Sequence, residues 1–550
     1  MSAQSVAVTP SAYAYPLLIK QLLHTPLARA PEQEIVYRDS FRTTYRGLRE
    51  RIGRLASGLK GLGVQPGQTV AMMDWDSHRY LESFFAVPMM GAVLQTVNVR
   101  LSPEQVLYTL NHARADVVLV NSEFLPMLAI IRDKLETVKT FVLISDGGAP
   151  LDAFEIPFAR RYEDMLAGAA PDFDFPDFDE NTRATTFYTT GTTGLPKGVY
   201  FSHRQLVLHT LAVATALGTA PEQGRLHAED VYMPITPMFH VHAWGLPFVA
   251  TLLGLKQVYP GRYLPDSLLR LIQQEKVTFS HCVPTILHML LSSPLVKDIS
   301  LKGWKVVIGG AALPRAMARR ALELGADVFT GYGMSETCPI LTLAQLDTAM
   351  LELPAEDQTA IRAKTGRPIP LVDLRTVDGH MGDVARDGKA TGEVVVRAPW
   401  LTQGYLHNPA ASEDLWDGGY LHTNDIGHIN PAGYLQITDR IKDVIKTGGE
   451  WISSLELEDL IVRHPAVNEV AVIGVKDEKW GERPVALVVL RAGATASAEE
   501  IREHLKGFAD KGIISRYGVP EQITFLDSLT KTSVGKLNKK AMREQFGVPN

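Results

Sequence analysis

The sequence predicts an α/β protein: a large N-terminal region of layered α/β subdomains with a small β-rich subdomain, followed by a small α+β region. Three observations carry that reading. Short apolar runs alternate with amphipathic helical patterns to about residue 330. Past residue 390, short strands follow one another across glycine- and aspartate-rich turns. After Asp439-Arg440 a compact mixture of helix and strand begins. A chain of 550 residues exceeds what one hydrophobic core usually supports, so two domains are expected, 1–439 and 440–550.

Leu48, Ile52, Leu55, Leu59 and Leu62 recur at spacings of four and three and mark one face of a helix that Gly63 stops. Residues 70–73 read as a short buried strand. Ser102 supplies an N-cap and Pro103 a first helical position, opening a helix to about Asn111, and 117–120 is the next strand. Strands at 277–279 and Lys305–Ile308 continue the alternation, which argues for largely parallel sheets. Further on, 392–396 and 434–437 read as strands, and Ser453 or Ser454 caps a helix through Val462. Residues 469–473 and 485–490 complete the set of strands, and no internal repeat is visible.

The composition, 45% hydrophobic and 21% charged, excludes disordered and collagen-like classes. Lys plus Arg total 55 against 61 Asp plus Glu, a formal charge of −6, so the basic excess of a nucleic-acid coat is missing. Anionic ligands would have to be held by local donors. Cys282 and Cys338 stand alone, which argues against a disulfide framework and a structural zinc. The first basic residue is Lys20, so no secretory signal is expected. The most apolar stretches, 83–97 and 243–255, are broken by Pro88, Gly91, Gly245 and Pro247 and fall short of the roughly 20 residues that span a bilayer. A soluble, cytoplasmic protein is expected.

The most informative segment is Tyr188-Thr189-Thr190-Gly191-Thr192-Thr193-Gly194-Leu195-Pro196-Lys197-Gly198. Threonines interleaved with glycines offer hydroxyl and backbone N–H donors to phosphate oxygens, and Lys197 adds a positive charge. The spacing does not fit a Walker A loop. Taken alone, such a run is also a common turn.

Six further motifs follow in order. They are Met238-Phe239-His240-Val241-His242-Ala243-Trp244, Gly309-Gly310-Ala311-Ala312, Gly331-Tyr332-Gly333-Met334-Ser335-Glu336-Thr337, Leu421-His422-Thr423-Asn424-Asp425, Asp439-Arg440-Ile441-Lys442-Asp443 and Lys531-Thr532-Ser533-Val534-Gly535-Lys536. Together they resemble the adenylate-forming superfamily of acyl-CoA synthetases, luciferases and adenylation domains, over essentially the whole chain. Bacterial medium- and long-chain fatty acyl-CoA synthetases look most similar.

That resemblance implies a two-step reaction. A carboxylate attacks the α-phosphate of ATP to give an acyl-adenylate and pyrophosphate, and the thiol of CoA then displaces AMP. It implies Mg2+ on Thr189 and Glu336, since a hard cation wants oxygen ligands. Phosphates would lie on Thr189, Thr190, Gly191, Thr192, Thr193, Gly194 and Lys197, and Ser335 would be a further nucleotide contact. Tyr332 would stack on adenine, with backbone groups of Gly310, Ala311, Thr330 and Gly331 reading its edge. Asp425 and Arg440 would take the ribose. Where the family more often has Thr-Gly-Asp this chain has Thr423-Asn424-Asp425; asparagine tolerates left-handed backbone, so the turn should survive.

The resemblance makes Lys536 the lysine that reaches into the adenylation site. Lys442 would be the hinge of a mobile C-terminal domain, whose rotation brings Lys446, Gly448, Gly449 and Trp451 toward the adenylate on the CoA side. His240, Trp244, Gly310 and Gly333 would line the acyl site, Trp244 gating an apolar tunnel. The reading is therefore an ATP-dependent fatty acid–CoA ligase, as a homodimer without a membrane span. Two alternatives stay open: a related ligase for aryl acids or carrier proteins, and a nucleotide-binding protein without ligase activity.

Overall fold

A computed structural model describes residues 5–147, 153–189, 195–447, 450–477, 479–533 and 535–546. Among these the strands form four sheets. In the seven-stranded sheet, Phe158–Arg161, Thr140–Ile144, Ala115–Asn121, Thr69–Met73, Val93–Thr96 and Arg183–Tyr188 run parallel, and Gly198–Ser202 closes the edge antiparallel. The nine-stranded sheet has a parallel centre that includes Val231–Pro234, Phe279–Cys282, Lys305–Ile308 and Asp327–Gly333, with antiparallel strands at both ends. A third, antiparallel sheet contains Gly392–Arg397, Tyr420–Ile429 and Leu435–Arg440. The fourth sheet starts at Ile445–Thr447 and is built on the hairpin of Val467–Asp477 with Gly481–Leu490.

Local signals explain most boundaries. Leu48, Ile52, Leu55 and Leu59 are completely or almost completely buried on the helix Tyr45–Gly61, facing the first sheet's core. Ser102 and Gln105 form a reciprocal capping box at the start of Pro103–His112. Ser453, rather than Ser454, caps Ser454–Ile461 by accepting from the Glu456 amide.

One strand is displaced from its expected place. Of residues 277–279 only Phe279 belongs to it; the strand is Phe279–Cys282. Lys276 takes φ +56° and the Val277 amide donates to Ile272 O at 3.0 Å, so these residues close the preceding helix Pro265–Gln274. The hairpin strands also outrun the apolar runs 469–473 and 485–490, because ladder pairing continues through polar positions such as Lys476 and Glu482.

Sheet membership changes across residues 441–444. The last helix, Lys539–Phe546, grips both sides of that crossing. Lys539 Nζ reaches Glu458 at 2.7 Å and Ser454 Oγ at 2.6 Å, while the Ser454 amide and hydroxyl donate to Asp439 at 2.6 and 2.7 Å. Arg543 donates to Asp443 at 2.7 Å. Ile445, Leu457, Val472, Val488 and Ile501 belong to a core of their own, separate from the large core shared by the first two sheets. No helix among the described residues is long and apolar enough to cross a membrane.

Candidate active site

Parallel strands end with their carbonyl edges facing one way, and loops that leave them there can converge on a ligand. Two adjacent strands do this. Lys305–Ile308 runs directly into Gly309 and Gly310, and Asp327–Gly333 ends in Thr330, Gly331, Tyr332 and Gly333. A cavity opens there, walled by His240, Trp244, Gly310, Tyr332, Ser335 and Lys536 among others. Gly310 takes φ +79°, and a Cβ on it would lie 3.0 Å from Lys536 Cε. Its bare backbone is what lets the lysine approach.

Tyr332 donates its hydroxyl to Asp425 Oδ2 at 2.6 Å. Asp425 is buried and stands directly opposite Arg440 in the ladder of Tyr420–Ile429 with Leu435–Arg440, its second oxygen 3.2 Å from Arg440 Nε. The register thus places an aromatic face, a carboxylate and a guanidinium side by side. Asn424 takes φ +59°, the left-handed conformation expected of it, and its amide donates to Glu393 at 3.1 Å.

Glu336 is buried in the short turn Ser335–Thr337 and accepts from the Tyr405 hydroxyl at 2.7 Å. The Tyr405 ring carries Lys197 Nζ on its face, 4.5 Å from the centroid. Thr189 and Lys197 close the neck of the threonine/glycine loop: the Thr189 amide donates to Lys197 O at 3.0 Å, and the Lys197 amide to Thr189 Oγ1 at 3.3 Å. The hard oxygens of Glu336 and Thr189 therefore belong to one continuous chain of contacts. No cluster of three or more His, Cys, Asp or Glu suited to a metal occurs among the described residues. A cation here would need phosphate oxygens and water to complete its shell, the usual situation for magnesium.

Lys536 enters from the C-terminal region. Burial of its ammonium, reinforced by Arg440 nearby, lowers its pKa to about 8, while Asp425 and Glu336 oppose the shift. His240, with the same cavity in front of it, is lowered to about 3 by burial and then by Lys536, so it is neutral near pH 7. A neutral donor and a cation thus share the wall where an anion would be handled.

The segment from Val241 to Gly245 has an unusual backbone: φ is +48, +53, +48, +59 and +72° in succession. A left-handed turn costs L-residues about 1–2 kcal/mol each, so the surroundings must enforce it. They do so by packing and one buried acceptor. Asp76 accepts from the Met238 amide at 2.8 Å, and His242 sits completely buried with ring contacts to Phe84 and Phe187. The turn delivers Trp244 against Gly309, where a Cβ would meet the indole at 2.9 Å, and beside His281 at 5.0 Å between ring centroids.

Residues 23–406 match the family described as AMP-binding enzyme, and 456–536 match the AMP-binding enzyme C-terminal domain. The chain belongs to the AMP-binding enzyme family. It is 43% identical to a "Long-chain-fatty-acid--CoA ligase" of Thermus thermophilus, over 92% of this chain and 90% of that one. It is 38% identical to a "3-methylmercaptopropionyl-CoA ligase" of Ruegeria lacuscaerulensis, over 96% and 97%. Among solved structures, the anthranilate CoA ligase AuaEII in complex with anthranoyl-AMP superposes with a TM-score of 0.84 at 26% identity, covering 96% of this chain and 98% of that one.

Set on this AMP-binding enzyme, most of the residues singled out from sequence fall into three groups, while Thr189, Lys197, Ala311 and Thr330 do not line the cavity. His240, Trp244, Gly310, Gly331, Tyr332, Gly333, Ser335 and Lys536 line one cavity, with Asp425, Arg440 and Glu336 next to it. Lys446 and Trp451 are paired in the ladder of Ile445–Thr447 with Glu450–Ile452, and Lys442 lies in the crossing between sheets. Thr190, Gly191, Thr192, Thr193, Gly194, Gly448 and Gly449 lie outside the described residues. Sequence reasoning missed Tyr405 and Asn98, and it read Thr285 only as part of a further wall of the acyl channel at 281–285, whereas its hydroxyl donates to Gly535 O. None stands in a charged or glycine-rich pattern; Tyr405 owes its place to Leu406 pairing with Gly198 at 2.8 Å.

Proposed function

We propose that this AMP-binding enzyme is an ATP-dependent fatty acid–CoA ligase for medium- to long-chain acids. The observation that carries the reading is that one cavity joins a lysine from the C-terminal region, Lys536, to Tyr332 and Gly310 at the strand ends and to Trp244 on its apolar side. Tyr332 stacks on adenine, and Asp425 with Arg440 holds the ribose hydroxyls. Gly310, Ala311, Thr330 and Gly331 offer backbone groups to the base edge. Lys197, Ser335 and the threonine/glycine loop hold phosphates. Magnesium, when bound through Glu336 and Thr189, spreads the negative charge of the triphosphate.

The carboxylate oxygen attacks the α-phosphorus, the bond to pyrophosphate breaks, and an acyl-adenylate forms. Lys536 holds positive charge at the carboxylate and α-phosphate, where two anions must meet. The thiolate of CoA then attacks the acyl carbon and AMP leaves. A rotation about Lys442 withdraws Lys536 and presents Lys446, Gly448, Gly449 and Trp451 to the incoming thiol. His240, Trp244 and Gly333 border the acyl group. The domains 1–439 and 440–550 are the two bodies of that motion, and a cytoplasmic homodimer completes the reading, with light scattering as the test of its state.

A second reading has its own support: the Ruegeria relative is named for a short thioether acid and the superposed structure for an aryl acid. A panel of butanoate, 3-methylthiopropanoate, octanoate, palmitate and anthranilate decides between them. Pyrophosphate release and CoA thioester formation should peak at octanoate or beyond. A maximum at anthranilate or at a three- to four-carbon acid overturns the fatty-acid assignment.

A further inference from the structure

Lys536 can work in the adenylation site only while the turn that carries it stays docked on the rest of the molecule. Three side chains from elsewhere in the fold reach that turn: Asn98, Thr285 and, at the longer distance of 3.4 Å from Nη1 to Ser533 O, Arg100. Asn98, just beyond the strand Val93–Thr96, is buried and donates from Nδ2 to Ser533 Oγ at 2.9 Å. Its Oδ1 accepts from the Arg100 amide at 3.1 Å, which fixes the amide group's orientation. Thr285, in the first turn of the helix Pro284–Ser292, donates its hydroxyl to Gly535 O at 3.2 Å. Gly535 takes φ +84°, and a Cβ on it would lie 3.0 Å from Thr285 Oγ1, so the hydroxyl seats on bare backbone. Within the turn, Thr532 Oγ1 accepts from the Lys536 amide at 3.2 Å and Thr532 O from the Gly535 amide at 2.9 Å. Displacement at Ser533 or Gly535 is thereby passed to the lysine.

We infer that Asn98 and Thr285 are positioning residues that clamp the Ser533 and Gly535 flank of Lys536, selectively supporting the acyl-adenylate step and releasing for the thioester step. The inference rests on the ligase reading above. Both bonds are made to the turn that carries Lys536. Each joins elements more than 200 residues apart in sequence, 435 for Asn98 and 250 for Thr285, so local chain folding does not require them. Two neutral hydrogen bonds, beside the long Arg100 contact to Ser533 O, are strong enough to bias the docked arrangement and weak enough to open every turnover.

The test separates the half-reactions in the full-length enzyme, using octanoate with ATP for pyrophosphate release and synthetic octanoyl-AMP with CoA for thioester formation. Ser533→Ala and Thr285→Val should each slow the first by roughly five-fold and leave the second within about two-fold. Thr285→Ser, which keeps the hydroxyl, should restore the first. Thermal unfolding of each variant reports folding; Asn98→Ala should match Ser533→Ala, which removes the same bond from the other side and carries the test should Asn98→Ala fail to fold. Parallel loss in both half-reactions, or no loss in either, overturns the clamp. Lys536→Ala run alongside tells the two ideas apart: if it leaves pyrophosphate release intact the lysine assignment itself fails, whereas if it abolishes release while the clamp variants behave as wild type, the clamp alone fails.

Discussion

The Tyr332 hydroxyl donates to Asp425 Oδ2 at 2.6 Å while the other oxygen of that carboxylate lies 3.2 Å from Arg440 Nε. A carboxylate held from two sides is oriented before any ligand arrives, which lowers the ordering cost of recognising a ribose diol. Asp425→Ala should raise KM for ATP by roughly thirty-fold, the loss of a charge-assisted contact worth about 2 kcal/mol. Tyr332→Phe keeps the ring and should cost only a few-fold. Initial-rate kinetics at saturating fatty acid measure both, and an unchanged KM in Asp425→Ala removes the ribose assignment.

Gly310 faces Lys536 Cε and Val283 Cγ1, which a Cβ would approach to 3.0 and 3.1 Å. Alanine also resists φ +79° there, at about 1–2 kcal/mol. Gly310→Ala should therefore lower acyl-adenylate formation by about ten-fold or more, read as pyrophosphate release, with a smaller effect on thioester formation from supplied acyl-adenylate.

Lys536 has its pKa lowered to about 8 by burial and by Arg440. The ammonium needed beside two anions is lost as pH rises through that value, so kcat/KM for adenylation should fall above about pH 8. The stability effect has the opposite sense. The folded state binds this proton less tightly than the unfolded chain, so the lysine costs stability below pH 8 and the cost disappears as pH rises toward 10.5. Lys536→Met should accordingly be more stable than wild type at pH 7, with the gap closing by pH 10.5, as denaturant titrations at several pH values would reveal.

Trp244 packs on Gly309 and beside His281 at the apolar end of the cavity. Trp244→Ala vacates that space, and each methylene newly buried contributes about 0.8 kcal/mol. The acyl-length optimum should move to longer chains and broaden, with KM for ATP unchanged. An optimum that stays put would mean the indole is structural only.

How much of this was legible beforehand differs by element. The left-handed Asn424 and the helix cap before Pro103 follow from single-residue chemistry that acts locally, and both are in place. Lys305–Ile308 coincides with its apolar run because it is buried in the middle of a parallel sheet. The strand sought at 277–279 starts only at Phe279 because helix closure at Lys276 takes up Val277, and periodicity alone does not separate the two uses. Tyr405 left no trace in sequence, since its role arises from a bridge between Val199 and Tyr405, more than 200 positions apart. The positive φ run at Val241–Gly245 was also invisible: four of its five residues carry side chains that disfavour it, and only the surrounding phenylalanines and Asp76 impose it.

The helix Lys539–Phe546 is tied through Ser454 to Asp439, at the end of the third sheet, and directly to Asp443, within the link to the fourth. The tail is thus part of the joint. A protease nick after Asn538 would free the Lys539 and Arg543 ties and slacken the link between the third and fourth sheets with the same cut.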